Sequence, residues 1–384
     1  MRFIGAAGKY EKVRQITTLK RVLVIGGYGN FGRFISTRLA PLEDITLIVA
    51  GRSQSKAYSL ASELGAEAAL IDINQNIDVV LSALSPDVVI HTSGPFQAQA
   101  YDVARAAIRC GAHYIDLADG RQFVDNISSL NEEATAANVL VVSGASSLPC
   151  LSAAVIDKYH AEFNSLESIQ YGITTAQQTT RGLATTAAIL SYTGKAFTSL
   201  LDGRFQNKFG WQGLHARKFT ALGWRLLSDC DVPDLALFPK RYPSLRTIRF
   251  SAGLELSFLH LTLWLISWFV RAGVIRNLES LAPTMLKLSN AFNRFGGDDS
   301  GFYMMLSGLD DNNKQRQILF ELIARSGDGP NIPCVPAILL TEKIIRGEIS
   351  EVGAKPCVGL IELQEYLNAL EGLDISWHDE VALR

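Results

Sequence analysis

Gly27-Tyr28-Gly29-Asn30-Phe31-Gly32 follows the apolar run Val22-Leu23-Val24-Ile25 and leads into Phe31, Ile35 and Leu39 at helical spacing. A strand that breaks into G-x-G-x-x-G and resumes as a helix suits a pyrophosphate. Gly27 permits the tight turn, Gly29 lets backbone approach phosphate with no Cβ in the way, and Gly32 lets helix pack close on strand. The helix N-terminus then offers free N–H groups to the anion. Dinucleotide units that bind NAD place a carboxylate about 20 residues further on, at the end of the second strand. Here Ile45-Thr46-Leu47-Ile48-Val49-Ala50 ends instead in Gly51-Arg52-Ser53, with Lys56 following. Arg52 offers a permanently charged fork to a 2′-phosphate, Ser53 a hydroxyl and Lys56 a further charge, so the expected cofactor is NADP(H).

Further candidates follow from position. Ligands of open parallel sheets bind beyond the carboxyl ends of the strands. Asp72 and Ile73 close a third strand, where the adenine is expected, and Ser93-Gly94-Pro95-Phe96 follows a fourth, where the nicotinamide ribose is expected. Asp119 follows a fifth strand and is the candidate proton donor, with a ribose or backbone contact as its alternative role. His113 and Tyr114 enter that strand at its far end and are read as structural. Outside this region Arg181, Thr185 and Tyr192 are candidate substrate contacts. No Tyr-x-x-x-Lys or Ser-x-x-x-Lys pair names a donor.

These residues need a scaffold. Short β-branched runs alternate with helical stretches from residue 20 to about 150, giving strands at Arg21–Ile25, Ile45–Ala50, Ala68–Asp72, Val88–Thr92, Tyr114–Ala118 and Val139–Ser143. This predicts an α/β fold: a Rossmann-type doubly wound parallel sheet over 20–150. The alternation then stops. A helix from Leu151, a strand at Ser168–Thr174, a helix over Leu183–Leu200, a strand at Arg246–Phe250 and a hairpin of Gly301–Gly308 with Gln315–Ala324 predict a second, α+β domain over 151–335 for substrate and dimerisation. Residues 336–384 are expected to return to the first domain.

Composition narrows the function. The 384 residues carry 36 basic and 38 acidic side chains, so no net field draws the protein to nucleic acid. Five scattered cysteines fit a reducing cytoplasm, and six histidines without metal-ligand spacing support no metal site. The first 19 residues, with Arg2, Lys9, Lys12 and Arg14, read as a loosely ordered extension. Leu256–Val270 holds no charged residue in 15 positions. As a helix it reaches about 22 Å, short of a roughly 30 Å hydrocarbon core. A buried core or dimer helix, an interfacial membrane contact and a re-entrant span remain open, with Arg271, Arg276, Lys287 and Arg294 placed to meet headgroups.

The segments VIGGYGNFG, AGRSQSKA, VVIHTSGPF, GAHYIDLADG and SGASSLPCLS, in this order, resemble the saccharopine dehydrogenase-like oxidoreductases. VPDLALFP, GDGPNIPCVPA and GAKPCVGLIEL extend the resemblance along nearly the whole chain. It implies NADP(H)-dependent chemistry in a two-domain, often dimeric enzyme, without implying saccharopine as substrate. The family includes reductases of lipid-linked substrates, and some eukaryotic relatives associate with membranes or lipid droplets. His91 departs from the small or amide residue expected before Gly-Pro-Phe, and is either a nicotinamide contact or a core histidine. Since Leu, Phe and Trp dominate the second domain, the expected substrate is a small or lipid-like carbonyl, imine or enoyl compound. A non-catalytic NADPH-binding interaction protein is the alternative. The expected location is the cytoplasm or a membrane surface.

Overall fold

The computed structural model describes residues 19–383. The basic extension carrying Arg2, Lys9, Lys12 and Arg14 lies outside them.

Seven strands form the first sheet: β1 Lys20–Ile25, β2 Ile45–Gly51, β3 Glu67–Leu70, β4 Val88–His91, β5 His113–Asp116, β6 Leu140–Ser143 and, from the far end of the chain, β15 Gly353–Pro356. They lie in the order β15-β6-β5-β4-β1-β2-β3, and every neighbouring pair is parallel. Strands covered on both faces read as continuous apolar runs, and Val22, Leu23, Val24, Val88, Val89 and Ile90 are fully buried. The connecting helices include α1 Asn30–Leu39, α2 Gln54–Leu64, α3 Ile77–Leu84 and α4 Asp102–Arg109. This is the doubly wound parallel sheet that the strand–helix alternation predicts, with the strand order reversing between β1 and β4.

The second sheet is mixed. It contains β7 Ser165–Thr175, β10 His215–Phe219, β11 Gly223–Asp229, β12 Thr247–Leu254, β13 Ser300–Leu309, β14 Gln315–Ala324 and β16 Ile375–Leu383, in the order β10-β11-β12-β7-β13-β14-β16. Only the β12–β7 pair is parallel. Helix α5, Leu183–Tyr192, stops eight residues before the expected Leu200. Gly194, with φ of +71°, turns the chain where a Cβ would stand 2.4 Å from the Ser267 carbonyl oxygen. β8 Ala196–Leu201 then pairs with β9 Arg204–Phe209 through Asp202 and Gly203, both at positive φ.

Two further expectations need correction. The apolar stretch forms α6, Ser257–Arg271, but only His260, Leu263 and Ser267 of this helix are buried, so it is not a core helix. One stripe faces the protein and the rest faces outward. Among the described residues no helix is long and apolar enough to cross a membrane. After α7, Ala282–Asn290, the C-terminal segment serves both sheets rather than the first alone. α8, Val335–Ile345, packs on α1 and β15 joins β6, whereas β16 pairs with β14.

Candidate functional site

The turn after β1 is shaped by four glycines in different ways. Gly26, not Gly27, takes positive φ, at +80°, and a Cβ there would lie 2.6 Å from Thr92 Oγ1. Gly27 instead packs against the Val24 carbonyl oxygen and the Val49 side chain. Gly32 sits so close under the turn that a Cβ would stand 2.2 Å from the Gly26 carbonyl oxygen. Gly29 is the N-cap of α1 and has no side chain to cap with, and the first turn contains no acidic residue. The first N–H groups of α1 are thus left for an anion, with the helix dipole favouring negative charge.

This turn opens into a cavity of about 660 Å³. Beyond Gly26, Tyr28, Gly29, Asn30 and Phe31, one end is lined by Gly51, Arg52, Ile71, Ile73 and Asn74. The other end is lined by Thr92–Phe96, Gln99, Leu117, Asp119 and Ser146. The opposite wall comes from the second sheet's side of the molecule: Gly182, Leu183, Ala184, Thr185 and Ala188, at and along the start of α5. An extended dinucleotide needs such a trough, and the side-chain-free approach at Gly29 and the uncapped α1 terminus fit its diphosphate.

The residues expected at the adenosine end are separated by the structure. The Tyr28 ring covers Gly51, where a Cβ would lie 2.6 Å from the ring, and the Tyr28 hydroxyl accepts a hydrogen bond from the Ser53 N–H at 2.8 Å. Ser53 Oγ caps α2 by accepting from the Lys56 N–H, so the hydroxyl serves the helix. Lys56 is exposed and lies outside the cavity lining, leaving Arg52 as its lining cation. Asp72 does not line the cavity either. Its carboxylate accepts from the Asn74 backbone N–H and side-chain amide, both at 3.1 Å, closing an Asx turn that presents Ile73 and Asn74 instead.

At the other end Gln99 Nε2 donates to the carbonyl oxygens of Ser93 at 2.8 Å and Pro95 at 2.9 Å, fixing the turn after β4. Phe96 is buried and meets the His91 ring edge-on, with centroids 5.0 Å apart. His91 itself is a core residue, outside the cavity lining. Its Nδ1 pairs with the Tyr114 hydroxyl at 3.0 Å, and burial pushes its pKa down to about 3, so the ring is neutral. His113 Nδ1 accepts from the Leu140 N–H, in keeping with a structural role.

Asp119 is an exposed residue of the cavity lining. Desolvation by the neighbouring protein raises its carboxyl pKa against the opposing hydrogen bond from Gln97 Nε2, at 3.0 Å. Beneath it, buried Asp116 joins the turns after β5 and β6: Oδ1 accepts from the Ala118 N–H, the Ser143 hydroxyl and the Gly144 N–H, each at 2.9 Å. Its Oδ2 is buried without a partner, and burial carries the carboxyl up to about 6.

Of the three residues expected to touch substrate, only Thr185 lines the cavity. The Arg181 guanidinium turns away, donating to Ser289 Oγ and the Gln177 carbonyl, each at 2.8 Å, and burial lowers its pKa. Tyr192 ends α5 at the far side of the cavity, and burial beside Cys230 pushes its hydroxyl well above the usual range. The sequence reading missed Gly26, Asn74, Gln99, Ser146 and Leu183. Ser146 follows the end of β6, so the strand-end rule that selected Asp119 could have found it.

Residues 22–142 match the family described as Saccharopine dehydrogenase NADP binding domain. Over this segment the chain is similar to that family. The matched segment spans β1 to β6 and the glycine turn. No curated protein matches the chain. The chain is similar in fold to the saccharopine dehydrogenase (L-Glu forming) of Saccharomyces cerevisiae, with TM-score 0.67 and 14% identity, over 94% of this chain and 100% of that one. It is also similar to the homospermidine synthase of Legionella pneumophila, solved with NAD, with TM-score 0.60 and 9% identity, over 94% of this chain and 91% of that one. Both likenesses extend past the matched segment, so the two-sheet architecture is shared as a whole.

Proposed function

We propose that this protein is an NADP(H)-dependent oxidoreductase that transfers a hydride to or from a small or lipid-like carbonyl, imine or enoyl substrate. The observation that carries this reading is one continuous cavity joining the uncapped α1 terminus, Arg52, Asp119 and the apolar start of α5. Arg52 at the end of β2, with no carboxylate beside it, favours a 2′-phosphate over a free ribose. When bound, the reduced dinucleotide supplies a hydride. The protein orients the reactants and handles the proton. Asp119, whose carboxyl pKa is raised, delivers that proton to the substrate oxygen, nitrogen or carbon as the neighbouring carbon takes the hydride. The resulting carboxylate keeps the Gln97 hydrogen bond and regains its proton from solvent.

The substrate side of the cavity supports an apolar compound. Leu183, Ala184 and Ala188 face Pro95, Phe96 and Leu117, while Arg181, the cation best placed in sequence to hold a carboxylate, is bound to Ser289 and Gln177. A pocket for several carboxylates needs unpaired cations. Stopped-flow oxidation of NADPH tests the reading: addition of medium- or long-chain carbonyl or enoyl compounds accelerates it, and amino-acid imines do so less.

The second reading, a non-catalytic NADPH-binding protein, draws on the sparse titratable lining. Of the lining residues only Tyr28, Arg52 and Asp119 carry ionisable side chains, and the first two lie at the end expected for the adenosine. Tight NADPH binding with no turnover across a carbonyl, imine and enoyl panel selects this reading.

A further inference from the structure

Large apolar side chains are exposed unevenly over the surface. Among the described residues 18 are exposed, and nine of these fall between Phe258 and Phe295. Five lie on α6 as a single stripe at i, i+3, i+7, i+10 and i+11: Phe258, Leu261, Leu265, Trp268 and Phe269. The opposite stripe is fixed to the protein, where His260 Nε2 meets Ser228 Oγ at 2.9 Å and the Ser267 carbonyl packs over Gly194. The apolar face continues past α6. Phe258 packs edge-on against Phe292, with centroids 5.0 Å apart, and Leu288 and Phe295 are exposed nearby. A contiguous face of this kind marks an interaction site.

Its charge indicates the occupant. Residues 256–297 carry Arg271, Arg276, Lys287 and Arg294 against Glu279 alone. Arg271 stacks on Phe209 at 3.8 Å and donates to Gln212, and Arg294 lies over Phe295 at 4.6 Å. Among the described residues Arg276, Lys287 and Arg294 pair with no carboxylate, and all three are exposed. A two-fold contact with a second copy would set this cationic face against itself, with like charges in register. An anionic surface neutralises it, and Trp and Phe side chains beside Arg and Lys suit the level of lipid headgroups.

We infer that the α6–α7 face docks on an anionic phospholipid bilayer. The docking has a consequence for the cavity. α7 packs on α5, and Arg181, just before α5, holds Ser289 of α7. The face therefore lies one helix away from Leu183 and the cavity wall. A bilayer-resident chain reaches the site through this edge, a consequence that rests on the oxidoreductase reading, whereas the docking does not.

Vesicle flotation of the full chain tests the inference, using phosphatidylcholine vesicles with and without phosphatidylserine. NADPH fluorescence titration and sedimentation velocity are run on the same samples. The wild type floats with phosphatidylserine and not without it, and added salt releases it. Leu265→Glu with Trp268→Glu abolishes flotation. Arg276→Gln with Lys287→Gln weakens it about 25-fold, at about fivefold per cation. All variants keep wild-type NADPH affinity, which establishes that they fold. A wild type that binds NADPH but stays unbound on phosphatidylserine vesicles overturns the docking. So does a wild-type dimer that Leu265→Glu with Trp268→Glu converts to monomer, since the face is then an interface between copies. Flotation that depends on phosphatidylserine without NADPH binding sustains the docking and overturns the cofactor reading.

Discussion

The Tyr28 hydroxyl accepts a hydrogen bond from the Ser53 backbone N–H at 2.8 Å, across the end of the cavity that Gly51 and Arg52 line. The bond uses one donor that a 2′-phosphate could have taken, and the Ser53 hydroxyl is used in turn by α2. Discrimination between the two nicotinamide dinucleotides then falls on the Arg52 guanidinium, whose planar fork matches phosphate geometry. Arg52→Ala is expected to weaken NADPH binding roughly 10-fold to 100-fold, as one charge-assisted contact warrants, and to leave NADH nearly unchanged. Fluorescence titration with both cofactors reads the difference; equal weakening of the two would remove Arg52 from the phosphate.

Gly32→Ala tests the turn itself. A methyl group placed 2.2 Å from the Gly26 carbonyl oxygen forces α1 away from β1. This moves the N–H groups that meet the diphosphate. Binding of both NADPH and NADH is expected to fall at least about 100-fold, because the lost contacts are common to the two cofactors. Isothermal titration beside a thermal melt separates this from global unfolding, since the variant is expected to retain a cooperative transition.

Asp119→Asn removes the proposed proton without moving the backbone. Turnover is expected to drop by about 10²- to 10⁴-fold, the usual contribution of a positioned acid, with NADPH affinity preserved. The raised carboxyl pKa sets the sign of the pH dependence in the reductive direction. The wild-type rate falls as pH rises through that pKa, because the donor loses its proton. The Asn variant is expected to be flat over the same range, and an unchanged pH profile would show that the donor lies elsewhere.

Buried Asp116 gives a stability prediction that is independent of turnover. Its carboxyl is carried up to about 6 by burial, so the folded protein holds a proton that the unfolded chain has released by then. Stability consequently falls as pH rises from about 4 to 6, and above this the penalty is on the order of 3 kcal/mol. Asp116→Asn keeps an oxygen for Ala118, Ser143 and Gly144 and places an amide where Oδ2 has no partner. The variant is expected to melt several degrees above the wild type at pH 8 and close to it at pH 4, as measured by calorimetry.

The first sheet was legible because its determinants are local. An apolar run, glycines at fixed spacing and a helical repeat lie within 20 residues, and the ends of β4 and β5 then located Ser93–Phe96 and Asp119 beside the same cavity. Side-chain direction was not legible. Ser53 faces both a phosphate site and the first turn of α2, and only the helix geometry decides between them. Arg181 was a substrate candidate by sequence, yet its partner Ser289 is more than 100 residues away. The second sheet was read only in part because several of its strands alternate weakly. β10, His215–Phe219, buries only its last residue and carries no continuous apolar face. The glycine that bears positive φ, Gly26, was hidden by its neighbour Gly27, since adjacent glycines look alike until the carbonyls around them are placed.

β15 and β16 are separated by only 18 residues, yet one completes the first sheet beside β6 and the other the second beside β14. During synthesis, then, neither half of the molecule closes until the last part of the chain has emerged, although β1 to β6 form a nearly complete unit much earlier. Each half waits with an open strand edge, a ready template for wrong pairing. A frameshift or proteolytic cut near residue 350 would injure both halves at once, and the cofactor domain would be destabilised by the loss of residues about 200 positions beyond its own last strand.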